Sequence, residues 1–355
     1  MDLLKKFARV KKYTLNDLDS IKNREDRSTL IIRSLFPERF LSEEIAHPDE
    51  VKLLALDVSF DNNESACKCT RQYMDNTCTD CFVWDNKYTN TLCSGLTKFH
   101  NLETLCVVDL DLSIDLWIEF AKNCTCLKEI YFNSSEFTCY FFCNKDKALD
   151  ALFQIPTLEK ICINNVCLPY LPPGPSNIKH LELNSVYEDD DEEEQRKAYE
   201  IYSQNLHTHK NIKTLILNEQ SPKPYNVLNL KLDLMQLEEL FLDSNLDDIG
   251  VIISMLQQTL KRLKFEVWLS DVSEIEKVVS VLRPLTCFDI EEIEIKITTQ
   301  RGLRDLYDYI PDLIQIKDRL KDEFKDTSTL KKFVFLNYKR CLVLDVLDKD
   351  VFVSK

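Results

Sequence analysis

Apolar residues recur through the middle of this chain at one spacing: apolar, two variable residues, apolar, one variable residue, apolar. Leu158, Ile161 and Ile163 make one set, and Ile178, Leu181 and Leu183 a second. Ile212, Leu215 and Leu217 follow, then Leu237, Leu240 and Leu242. Each set is closed by a short polar residue: Asn164, Asn184, Asn218 and Asp243. Alternation puts the second and third apolar members on one face of a short strand and the residue between them on the other. A single strand of this kind cannot bury its apolar face alone. Stacked neighbours, a continuous core and a parallel sheet are therefore predicted.

The spacing extends both ways. Val51, Leu54 and Leu56 form the first predicted strand, followed by Leu102, Leu105 and Val107, then Leu127, Ile130 and Phe132. Further strands are predicted at 260–265, 290–295 and 330–335. Between strands, helix-spaced stripes occur at Ile114, Trp117, Ile118 and Ala121, and at Leu149, Leu152 and Phe153. Two more lie at Ile249, Ile252, Ile253 and Leu256, and at Ile275, Val278, Val279 and Leu282, the latter with Ser273 and Glu276 as a capping box. A long helical stretch, 303–324, is expected to kink at Pro311. Residues 168–177, LPYLPPGPSN, form a helix-free crossover, because Pro169, Pro172, Pro173 and Pro175 remove amide donors. The strands alternate with polar residues (KHLELN, EEIEIK), so one sheet face is wet, unlike a layered sheet covered on both sides.

The segments LEKICIN, IKHLELN, IKTLILN and LEELFLD resemble the leucine-rich repeat superfamily. That resemblance implies an α/β solenoid, a horseshoe with a parallel concave sheet and convex helices, similar to the ribonuclease-inhibitor-like and F-box-associated types. It also implies a protein-interaction scaffold. The family's asparagine two residues further on is mostly missing, Asn245 being the clearest case. Residues 1–46 read as a helical cap on the loose spacing of Leu15, Leu18 and Ile21 and of Leu30, Ile31 and Leu35. The solenoid then spans 47–355, with a cysteine-rich insertion at 61–96. An alternative is a substrate receptor of a ubiquitin ligase, since FPERFLSEEI resembles an F-box opening. A repeat beginning at Val51 leaves no room for the rest of that domain.

Composition narrows the partner. Hydrophobic residues make up 44% and charged residues 30%, as in a folded protein. The net charge of -15 opposes nucleic-acid binding and favours a basic protein partner. None of the glycines (Gly95, Gly174, Gly250 and Gly302) belongs to a phosphate-cradling motif. With no signal-peptide core and no membrane-length apolar run, an intracellular protein with reduced thiols is expected.

Four groups of residues bear on chemistry or binding. Cys67, Cys69, Cys78 and Cys81 are spaced to enclose a tetrahedral structural zinc ion, and free thiols are the competing reading. A zinc-dependent enzyme is the least favoured function, since four thiolates leave no open coordination position. His207 and His209 lack the further ligands a metal site requires, and the acid run 187–194 reads as a solvated loop. The outward strand residues form the expected concave binding face: Tyr131, Asn133, Asn164, Glu182, Asn184, Ile216, Asn218, Glu239, Phe241 and Asp243. No cofactor is expected beyond that zinc. Metal analysis of chain purified without chelator separates the cysteine readings: a tetrathiolate site gives about one zinc per chain, and free thiols give none.

Overall fold

The computed structural model describes residues 28–33, 47–57, 95–108, 114–133, 146–164, 171–185, 204–219, 230–244, 246–269, 275–299, 319–320, 322–324, 326, 329, 332–337, 342–343 and 351–352. The chain divides into two compact units, Met1–Cys167 and Leu168–Lys355.

The first unit holds five strands: β1 (Thr29–Arg33), β2 (Leu53–Asp57), β3 (Thr104–Val108), β4 (Glu129–Asn133) and β5 (Lys160–Asn164). They pair in parallel and in chain order. Helix α1 (Ile114–Asn123) follows β3, helix α2 (Asp146–Phe153) follows β4, and the two helices pack together. The second unit repeats the scheme with β6 (His180–Ser185), β7 (Thr214–Glu219), β8 (Glu239–Ser244), β9 (Arg262–Leu269), β10 (Glu292–Thr299) and β11 (Lys332–Asn337). These are also parallel and in chain order. Its crossovers vary. A 3-10 turn at Leu232–Leu234 precedes β8, helix α3 (Leu246–Met255) precedes β9, and helix α4 (Ile275–Leu282) precedes β10. A short antiparallel pair, β12 (Leu342–Val343) and β13 (Val351–Phe352), follows β11.

Each apolar triplet from Val51 to Ile295 does the same work. Its first member is buried at the turn before the strand: Val51, Leu102, Leu127 and Leu158 in one unit, Ile178, Ile212, Leu237, Leu260 and Ile290 in the other. The second and third members are buried side by side within the strand, as are Leu215 and Leu217 of β7 and Leu240 and Leu242 of β8. Apolar helix positions close this core, including Phe120, Leu152 and Phe153, and Ile249, Ile252, Ile253, Val278, Val279 and Leu282. Both units therefore have the architecture of a leucine-rich repeat solenoid.

The backbone joins successive repeats in a constant way. Before strands β1–β4 and β6–β9, one carbonyl accepts two amides from the next repeat. Lys52 O takes the N–H groups of Glu103 and Thr104, Lys128 O those of Glu159 and Lys160, and Lys213 O those of Glu238 and Glu239. The side chains at this edge alternate in charge. Glu103 sits between Lys128 (2.8 Å) and Lys52 (2.9 Å), and Lys213 lies 3.3 Å from Glu238. Its hydrogen bond to Lys128, then that to Lys52, brings the Glu103 carboxyl down to about 2. Exposed pairs of this kind contribute about 0–1 kcal/mol each, so they align the edge more than they hold it.

One reading changes. Leu30 and Ile31, expected in a helix, belong to β1, where Leu30 pairs with Leu54 and Ile31 with Ala55. A run of leucine and isoleucine this short fits either period, and the open edge of β2 decides it. Residues 1–27 and 34–46, the insertion apart from residues 95–96, the acid run and Pro311 lie outside the described residues. Of the long stretch 303–324, residues 319–320 and 322–324 are helical, with Leu320 and Phe324 buried.

Burial sets a contrast on one strand. Leu215→Asp puts an unpaired carboxylate into the core and should cost several kcal/mol or abolish folding, whereas Ile216→Asp on the opposite face should cost a fraction of that. Thermal unfolding followed by circular dichroism measures both.

Candidate interaction face

The strands that carry the candidate residues are positioned by their crossovers, and the one before β6 is unusual. Residues 171–178 contain no helix, and Pro172, Pro173 and Pro175 offer no amide donors. Three carbonyls of this segment accept from the next repeat. The Asn205 Nδ2 donates to Leu171 O (2.6 Å), His209 Nε2 to Pro172 O (2.7 Å) and Asn211 Nδ2 to Ser176 O (2.7 Å). In return, the Gly174 amide donates to Thr208 Oγ1 (2.6 Å). Because the Pro172 carbonyl can only accept, the His209 proton sits on Nε2, and Nδ1 accepts from the Ser176 hydroxyl (2.8 Å). His209 is fully buried, and burial pushes its pKa down against the opposing pull of the Pro172 carbonyl. In the first unit, Phe99 and Ile155 occupy the same place, three residues before the buried turn residue. A histidine thus replaces an apolar core residue where the neighbouring crossover lacks backbone donors.

A related device recurs elsewhere. The polar residue just before the first apolar member reaches back to the preceding repeat. Asn101 Nδ2 donates to Asp49 O (2.9 Å), Thr157 Oγ1 lies 2.8 Å from Leu127 O, and Thr259 Oγ1 donates to Leu237 O (2.9 Å). The signal was present in the sequence as Asn-Leu, Thr-Leu and Asn-Ile dipeptides opening the triplets. Periodicity reasoning passes over it, because only apolar positions are counted.

The outward residues differ between the units. In the first unit, the central column Ile31, Ala55 and Cys106 is buried, with Leu53, Val108 and Tyr131 packed against it. Tyr131 is half-buried. Its hydroxyl donates to Glu129 Oε2 (2.9 Å), and the Lys160 ammonium stands 5.3 Å from its ring centroid. Asn133 and Asn164 are register partners at the strand ends, both half-buried. In the second unit, the corresponding column is Glu182, Ile216, Phe241, Lys264 and Glu294, all half-buried and in register across β6–β10. Glu182 Oε2 lies 3.7 Å from His180 Nε2 on the same strand. Glu239 pairs with Arg262, and Lys264 lies 3.1 Å from Glu294 and 3.8 Å from Glu292. Asn184 and Asn218 are register partners beyond this column, and Asp243 stands opposite Glu266.

Cys67, Cys69, Cys78 and Cys81 lie outside the described residues. Among the described ones, Cys106, Cys124, Cys126, Cys162 and Cys287 form no disulfide. Burial, with a smaller contribution from Cys126, pushes the Cys124 thiol up to about 12, so it is inert at neutral pH. Both His209 nitrogens are engaged, which prevents it from sharing a metal with His207. Among the described residues, no helix is long and apolar enough to cross a membrane.

No family model matches the chain, and no curated protein matches it. Solved structures do resemble it. The leucine-rich repeat-containing protein LegL7 from Legionella pneumophila aligns over 92% of this chain and 91% of its own, at 10% identity and a TM-score of 0.46. A structure of the Rad7 and Elc1 complex in yeast aligns over 86% of this chain and 84% of its own, at 14% identity and a TM-score of 0.41. The architecture rests on the repeat geometry itself.

The polar latch yields two expectations. The folded-state pKa of His209 lies below its ordinary 6.5, so below that value the unfolded chain binds more protons. Stability should therefore fall as pH is lowered through 6.5 toward the folded-state value and then level off. Denaturant melts between about pH 7 and pH 5 should show this slope, and His209→Leu should flatten it while costing about 1–3 kcal/mol at neutral pH. Gly174→Ala would put a Cβ 2.6 Å from the Thr208 carbonyl oxygen, a backbone atom that cannot swing aside. A loss of about 1–3 kcal/mol is expected in the same melts.

Proposed function

We propose that this chain is a non-catalytic protein-interaction scaffold whose partner docks on the outward face of the parallel sheet, the face opposite the crossovers. The observation that carries this reading is the second unit's outward column. Glu182, Ile216 and Phe241 stand half-buried on consecutive strands whose inner residues are locked in the core. Rigid strands hold side chains at a fixed spacing, so a partner meets a preorganised surface. An aromatic ring beside an aliphatic side chain supplies the anchor area that dominates binding energy. The ligase-receptor alternative rests on residues 36–45, which lie outside the described residues. The zinc-enzyme alternative rests on cysteines outside the described residues.

Affinity capture identifies a partner, and titration of that partner with variants tests the face. Phe241→Ala should weaken binding by about tenfold or more while leaving the circular dichroism spectrum unchanged. Adding Tyr131→Ala should contribute less, because Glu129 and Lys160 already engage that ring. Deletion of 188–194 should leave affinity intact. Retention of the partner by the double variant, with loss on loop deletion, would move the interaction to the acidic loop.

A further inference from the structure

We draw no further inference here: the strongest candidate, the half-buried outward face of β6–β8 around Ile216 and Phe241, belongs to the interaction face already described, and nothing in the structure shows what covers it.

Discussion

An apolar triplet on a five- or six-residue strand has no cover of its own, and the rest of the molecule answers that lack. Leu181 and Leu183 are dry because Leu215 and Leu217 lie beside them, and these in turn depend on Leu240 and Leu242. Each buried leucine contributes about 1.5–3 kcal/mol, against about 0–1 kcal/mol for an exposed ion pair such as Lys213–Glu238. The core therefore determines the stacking direction. Once strands are stacked in parallel at one register, the carbonyl before each strand necessarily faces two amides of the next. The Lys and Glu side chains along that edge then fall into line.

Crossovers are free to vary because the strand, rather than the helix, carries the repeat. Where a crossover is helical, its backbone bonds itself and only an apolar stripe must face inward, as in α3 and α4. Where it is not, every buried carbonyl needs a donor from elsewhere. The segment 171–178 shows the consequence. Prolines remove the local donors, and Asn205, His209 and Asn211 supply replacements from the following repeat. Such an arrangement ties the crossover to one neighbour and makes it sensitive to any change in that neighbour's polar side chains. His209 adds a dependence on pH that an apolar residue in its place would lack.

The same stacking that dries one face of the sheet presents the other. In the first unit, small and apolar residues on the outward positions (Ala55, Cys106, Ile31) are themselves buried, and Tyr131 is held by its own strand and the next. In the second, outward positions carry Glu182, Ile216 and Phe241, which stay half-buried. Similar strands therefore differ in outward burial according to the residue at the central outward position.

Local periodicity determined a good deal. Strands near Leu105, Ile130, Ile161, Leu181, Leu215, Leu240, Leu263 and Ile293 and the four helices were all legible, because each is marked by apolar residues at a period of its own. The fold class followed from their repetition, and the outward candidates followed from alternation. Other features needed the tertiary structure. Leu30 and Ile31 became strand rather than helix because a pairing edge on β2 was open to them. His209 read only as half of a histidine pair short of metal ligands, and the fold brought Pro172 and Ser176 to its two nitrogens. Tyr131 and Phe241 were indistinguishable as outward aromatics until their neighbours were known. Periodicity reports which face a residue takes, a property of its own strand. Burial, hydrogen-bond partners and charge neighbours belong to other strands, and only the stacked structure decides them.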